Sequence, residues 1–248
     1  MAAARRRGRV VSPERAELLD LLATRVPRLD RPVLVVVDGA DGAGKTVLAD
    51  ELAPLLPGAV RARLDDFHHP RAYRHGRGRT AETVWERSFD HAAIRRELLD
   101  PWRRGAGSAY RRRWHDLAGD ALVDPVEDPP QRVPRHGILV VDGVFAQRPE
   151  LADAWDLVVY LDVTDDVRVA RMAVRDGVNA DPDHPDQQRY LGAWRIYDAT
   201  CRPRRSADIV VDNTHPDRPF VVSETRRDCS PGDATRQPFA WKHGSGDR

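Results

Sequence analysis

The chain predicts an α/β three-layer sandwich with a five-stranded, mostly parallel sheet, and three observations carry that prediction. The run Val33-Leu-Val-Val-Val-Asp38 passes into a glycine-rich segment, Gly39 to Gly44, and then into helical spacing of Val47, Leu48, Leu52, Leu55 and Leu56. Continuous β-branched runs suit strands buried on both faces, and a glycine-rich turn between such a strand and a helix is a phosphate cradle. The same grammar returns at 138–143, another apolar strand ending in an acid. Further strands at 59–64, 157–162 and 207–212 alternate with helical segments such as 165–176, which implies parallel strands joined by right-handed crossovers.

Size and charge bound the rest. A chain of 248 residues with 41% hydrophobic composition buries a sizeable core. We expect one domain over 1–219 and a Ser-, Gly-, Pro-, Arg- and Asp-rich tail over 220–248, a mobile or edge segment. Lys+Arg at 40 against Asp+Glu at 39 leave a net charge of +1, so whole-chain electrostatics make no case for nucleic acid or an anionic membrane as partner. No apolar run nears the ~20 residues that span a bilayer, and the basic Arg5, Arg6, Arg7 and Arg9 precede no apolar leader core, so a cytoplasmic protein is expected. Cys201 and Cys229 are too few for a disulfide framework or a zinc site. Lysine occurs only at Lys45 and Lys242, which leaves no guanine-reading Asn-Lys-x-Asp element for a GTPase switch.

In chain order, Ser12-Pro13-Glu14 opens the first helix, 12–26: a hydroxyl N-cap, a proline whose missing N–H costs nothing, and an acid in the first turn. Leu18, Leu19, Leu21, Leu22 and Val26 form its buried face. Because it precedes the phosphate loop, it is expected to pack on the sheet edge away from chemistry. Residues 71–80 are basic, glycine-containing and aperiodic, a mobile surface loop over a phosphorylated or anionic site or, as the alternative, a nucleic-acid patch, which the balanced whole-chain charge argues against. Helical spacing over 85–99 turns Phe89, Ile94, Leu98 and Leu99 inward, and Pro101 ends it. Tyr110 to Asp116, aromatic among arginines, and the proline-rich 124–134 read as irregular or weakly stranded; such aromatics either stack bases or pack into a solvated hairpin.

The chemistry concentrates in four places. Gly39-Ala40-Asp41-Gly42-Ala43-Gly44-Lys45-Thr46, with Val47 after it, fits G-x-x-x-x-G-K-[ST]: backbone N–H groups close on a polyphosphate, Lys45 reaches the β/γ-phosphates and the Thr46 hydroxyl ligates Mg²⁺. The loop opens a helix, whose unpaired N–H groups and dipole favour anions. Asp65 and Asp66 follow a strand to the same end of the sheet, where ligands bind; they are candidates for metal contact or for taking a hydroxyl proton, or else caps of the next helix. Asp142 ends its strand as a Walker-B-like carboxylate does, holding Mg²⁺ directly or through water. Arg168, Arg171 and Arg175 share one helical face and lead into a polar stretch, either a solvated cationic face or a lid over about 175–190 whose arginines neutralise a transferring phosphate.

As an ordered set these residues resemble the uridine kinase-like branch of the P-loop kinases, which also includes phosphoribulokinase and bacterial pantothenate kinase. The resemblance runs from Pro32 to Pro219. It rests on the glycine loop, on Asp65-Asp-Phe-His68, Ser88-Phe-Asp-His91 and Val141-Asp-Gly143, on Arg168-x-x-Arg171-x-x-x-Arg175-Asp176, and on Arg202-Pro-x-x-x-Ala-Asp208. It implies an ATP- and Mg²⁺-dependent phosphotransferase acting on a hydroxyl of a nucleoside or of another small alcohol, a sugar phosphate included. It also implies Asp65 as general base alongside Lys45, Arg171 and Arg175, Thr46 and Asp142 at Mg²⁺, and Asp90 at the acceptor's sugar hydroxyls. His68, Tyr110, His115 and Arg168 are further acceptor-side candidates. His68 stands where uridine kinases have tyrosine, Asp142 where they have glutamate, and the Tyr110–His115 spacing is similar to their base-reading pair. The implied partners are the acceptor and a nucleoside triphosphate, with self-association open. A different class, a noncatalytic nucleotide-binding regulator, would keep the loop yet need neither Asp65 nor the arginines.

Overall fold

The computed structural model describes residues 11–225 except 178 and 180; the N-terminal arginine cluster, Cys229 and the tail beyond 225 lie outside the described residues. Helix α1 (Pro13–Arg25) starts at the Ser12 cap, which accepts from the Arg15 N–H. The sheet is built from β1 (Val33–Gly39), β2 (Ala59–Arg63), β3 (Ile138–Asp142), β4 (Leu157–Asp162), β5 (Ile209–Asp212) and β6 (Phe220–Glu224), in the order β6-β5-β4-β1-β3-β2. Every neighbouring pair is parallel except β5–β6. The sheet therefore has six strands, not five. The extra one is the start of the expected tail, Phe220-Val-Val, whose run is too short and too exposed to signal a strand by periodicity.

Alternation along β1 assigns its two faces. Val33, Val35 and Val37 pack with Leu18, Leu22, Leu48 and Leu52 of α1 and α2 (Lys45–Leu52), while Leu34 and Val36 pack with Phe67, Leu98, Trp102 and Tyr197 on the opposite face. That is the three-layer sandwich. On the second face lie α3 (Ala81–Arg87) and α5 (Pro185–Cys201), which cross at Gly192, where an added Cβ would sit 2.6 Å from the Ala81 Cβ.

Between α3 and the next helical run the chain breaks at 88–90, because Phe89 pairs with His68 in an isolated antiparallel bridge. The single helix expected over 85–99 is thus two. Its second half, 91–104, is π-helical over Ile94–Leu99 and continues past Pro101. A wider π turn shifts the hydrogen-bond register, which is how the ring and missing N–H of Pro101 are accommodated without ending the helix.

The pairing registers put chemistry on one edge. Asp142 is opposite Val37 of β1 and Arg63 of β2, so the loop after β1, the carboxylate ending β3 and the acids after β2 emerge side by side. Parallel sheets bind ligands outside such carboxyl ends. Directly beneath, the fully buried Asp38 accepts from the Tyr197 hydroxyl (2.5 Å), Gln147 Nε2 (2.9 Å) and the Gly39 N–H (2.8 Å). Burial pushes its carboxyl well up from the ordinary range, against the pull of those donors. Tyr197→Phe removes one donor from a buried carboxyl group, and a loss of about 1–3 kcal/mol is expected in urea unfolding. An unchanged midpoint would show that the tyrosine hydroxyl does not help hold Asp38.

Candidate active site

The glycine loop is held by its own carbonyls. Lys45 Nζ donates to the Ala40 carbonyl (2.9 Å), Arg171 to that of Gly42 (3.3 Å) and Asn213 Nδ2 to that of Ala43 (2.7 Å). With those oxygens turned outward and satisfied, the opposite edge of the loop is left for phosphate. Gly42 cannot be replaced cheaply: its φ is +78°, and an added Cβ would lie 2.5 Å from the Arg168 carbonyl oxygen.

Of these donors Asn213 came without warning from the sequence, and so did the residue that holds it. Arg15 of α1 is buried and donates to Asn213 Oδ1 (2.9 Å) and Glu51 (2.8 Å), so α1 braces the loop through Asn213. The expectation that α1 stands apart from the chemistry is corrected. Arg171, on α4 (Asp165–Asp176), also donates to the carbonyls of Asn213 and Thr214, both at 2.9 Å.

Beside the loop, the Thr46 hydroxyl donates to Asp142 Oδ2 (2.6 Å), while Arg61 of β2 reaches Asp142 Oδ1 (2.6 Å). This corner presents oxygen donors only, which suits a hard cation such as Mg²⁺; that ion takes one or two protein oxygens and completes its shell with phosphate and water. Among the described residues no group of three His, Cys, Asp or Glu side chains could hold a metal, so a fully protein-built cage is absent there. Arg61 was not foreseen: a strand arginine reads as exposed, and only the β2–β3 register puts it against Asp142.

A cavity of about 500 Å³ opens over the loop, lined among others by Asp41, Lys45, Thr46, Val47, Asp142, Arg171 and Arg175. A second, of about 420 Å³, continues from it beneath Phe89, Leu117, Val144, Phe145 and Tyr190. Asp41, Asp65, Val144 and Arg175 line both. Asp65 lies at the floor of this junction. Cleft water reaches it, but protein crowds it on every other side; that crowding pushes its carboxyl up, opposed by His68 and Lys45. Asp66 lines neither cavity and lies near Arg113 and Arg63; burial brings it to about 6. The short 3₁₀ turn Leu64–Phe67 separates the two side chains, and His68 Nδ1 closes it by donating to the Asp65 carbonyl (2.7 Å).

Four acceptor-side candidates land elsewhere. Tyr110 is buried, T-shaped against Trp102, and donates to Gln131 (2.9 Å). His115 is fully buried in a two-residue ladder, His115–Asp116 with Ala121–Leu122, and both ring nitrogens lack hydrogen-bond partners, with Asp120 3.5 Å away. Neither lines either of these two cavities, because the 109–133 segment folds as two small antiparallel ladders that turn both side chains inward. Leu117 is what it places over the acceptor cavity. Arg168 is 1% exposed, paired with Asp165 at 2.8 Å and stacked over Trp194, so of the arginine row only Arg171 and Arg175 face the cleft. Asp90 caps the 91–104 run by accepting from the Ala93 N–H (2.8 Å) and is not among the residues lining the two cavities. His68, in contrast, lines the second cavity. The segment expected as a lid runs from the end of α4 to the start of α5, and α4 gives Met172 and Arg175 and α5 gives Tyr190 to the cavity wall. Cys201 is half-buried, and burial pushes its thiol up to about 11.

Among known proteins, no family model matches the chain. It is similar to the uridine kinase of Clostridium tetani (strain Massachusetts / E88), 24% identical over 156 residues covering 59% of this chain and 68% of that protein. The uridine kinase of Clostridium novyi (strain NT) is 26% identical over 150 residues, covering 59% and 69%. In fold it is similar to a structure described as a "Possible Uridine Kinase" from Bacillus stearothermophilus, with TM-score 0.62, 21% identity, and coverage of 79% and 97%. A candidate fructose transport system kinase from Silicibacter sp. TM1040 gives TM-score 0.56 and 23% identity, covering 75% and 94%. The strand order, glycine loop and these likenesses define the fold as that of the P-loop kinases. Together with the relatives' names they support, more narrowly, a uridine kinase-like P-loop kinase. No described helix is long and apolar enough to cross a membrane.

The loop geometry generates a direct expectation. Gly42→Ala forces a side chain into a left-handed backbone and against the Arg168 carbonyl, so ATP affinity is expected to fall at least about tenfold, or ~1.4 kcal/mol, in a titration of the folded variant. Wild-type affinity would show that the loop binds nothing through this turn.

Proposed function

We propose that the protein is an ATP-dependent, Mg²⁺-requiring phosphotransferase of the cytoplasm that moves the γ-phosphate to a hydroxyl of a small molecule. The observation that carries this reading is the position of Asp65, on the wall common to the phosphate-loop cavity and the second cavity. A noncatalytic nucleotide-binding protein has no need of a carboxylate at such a junction or of a second cavity beyond it.

In this reading the loop N–H groups and Lys45 hold the β/γ-phosphates, and Thr46 and Asp142 are the residues that would hold Mg²⁺. The ion, when bound, screens the charge that builds on the phosphates. Asp65 takes the acceptor's hydroxyl proton as the oxygen attacks the γ-phosphorus; the bond from that phosphorus to the β,γ-bridging oxygen breaks, and ADP leaves. Arg175 and Arg171 face the transferring group from α4. The acceptor is a nucleoside or another small alcohol, a sugar phosphate included; Tyr110 and His115 line neither cavity, so a nucleoside base would be read by other residues of the wall, such as Phe89, Phe145 and Tyr190.

Asp65→Asn is expected to lower kcat roughly 10²–10⁴-fold, the range for a positioned acid–base group, with ATP affinity little changed, whereas Asp66→Asn costs much less. Because a base works deprotonated and the surrounding protein, with Asp41 and Asp142, raises Asp65, the acid limb of kcat/KM is expected above the ~3.9 of an ordinary aspartate. Reversed losses in the two variants would move the base to Asp66.

The two lid-side arginines should separate. Arg175→Ala is expected to act mainly on kcat, as a contact made in the transition state does. Arg171→Ala, which also frees the Gly42 carbonyl, is expected to raise KM for ATP as well. Identical kinetic signatures would show that Arg171 does not position the loop.

A further inference from the structure

Beyond the acceptor cavity, a smaller pocket of about 160 Å³ is walled by Arg74, His75, Arg79, Arg189, Tyr190 and His68. His68 and Tyr190 also line the acceptor cavity, so the small pocket opens off that cavity. Three guanidinium groups from two parts of the chain converge there. Arg74 and Arg79 come from the 71–80 segment and Arg189 from the first turns of α5.

The charges do not balance inside this wall. Asp186 pairs with Arg79 at 3.0 Å and with Arg189 at 3.6 Å, one carboxylate serving two cations. Arg74 spends its Nε on the His69 carbonyl (2.8 Å), and among the described residues no carboxylate comes within ion-pair distance of it. Asp120, the other acid nearby, accepts from the Arg71 N–H (2.7 Å). Asp120 still acts on Arg74 from beyond ion-pair distance, so three guanidinium groups face two carboxylates and the wall keeps an excess of positive charge, with Arg71 adding to it from outside; burial and these four arginines hold the His75 ring below its ordinary range. Gathering like charges around a cavity is costly unless an anion completes it, and guanidinium is the group that matches phosphate and carboxylate geometry.

We propose that the acceptor is an anionic small alcohol whose phosphate or carboxylate group seats between Arg74, Arg79 and Arg189 while its hydroxyl lies at Asp65. This rests on the kinase reading and narrows its substrate class. The volume is ample for a phosphate or carboxylate group. The basic 71–80 segment, balanced away in the whole-chain charge, is thereby given a local anion to meet.

The test uses the full chain loaded with a non-hydrolysable ATP analogue and Mg²⁺, so that the phosphate loop is filled, and titrates in inorganic phosphate and, separately, acetate by calorimetry. Saturable binding of either is expected, weakened at least about tenfold by Arg74→Gln and by Arg189→Gln and restored by Arg74→Lys; which probe binds tells phosphate from carboxylate. No saturable binding, or binding that neither substitution to glutamine changes, overturns the inference. Paired acceptors with and without the anionic group separate it from the kinase reading. If neutral alcohols are phosphorylated with the higher kcat/KM, the anion subsite is wrong and the kinase stands. If no alcohol is phosphorylated, the substrate assignment falls with the kinase reading, while the anion titration still reports on the pocket.

Discussion

A loop that must aim its N–H groups at a polyphosphate turns its carbonyls away, and a carbonyl turned into protein needs a donor. That constraint organises this molecule. The carbonyls of Ala40, Gly42 and Ala43 are met by Lys45, Arg171 and Asn213, and each donor brings an element with it. Asn213 follows β5 and is itself gripped by Arg15 of α1; Arg171 ties α4 to the same place. The first helix, the last parallel strand and α4 are thus fixed to the loop.

The acceptor side is built on a looser principle. Its walls come from the 3₁₀ turn after β2, the Leu117 hairpin, the end of β3 and the two lid-side helices. Apolar surface from Phe89, Phe145 and Met172 shapes the space, and Asp65 sits at its inner end. Asp65 opens to cleft water, while the protein around it and the carboxylates Asp41 and Asp142 push its carboxyl up against the pull of His68 and Lys45.

What the sequence made legible was local. The glycine loop is eight contiguous residues, and Asp65 and Asp142 announce themselves as acids at strand ends, which parallel pairing then aligns. Contacts set by distant packing stayed hidden. Arg15 meets Asn213 across 198 positions, and Arg61 meets Asp142 only through strand register. The helical face of Arg168, Arg171 and Arg175 was readable, but not that Arg168 would be buried under Trp194, since helical periodicity does not say which partner covers a face. Tyr110 and His115 misled for the same reason: residue type and spacing matched a base-reading pair, while the hairpin geometry that turns both inward has no signature in so arginine-rich a segment. The sixth strand was missed because an edge strand of five residues needs no apolar alternation.

The central claim is that the loop cavity and the acceptor cavity work as one site joined at Asp65. Its most direct measurement is transfer of label from [γ-³²P]ATP to a panel of small alcohols, neutral and anionic, with the Lys45→Ala protein alongside. The account predicts Mg²⁺-dependent label on at least one alcohol and none with the variant. ATP binding with no label on any alcohol, or with release to water alone whatever alcohol is present, would contradict it.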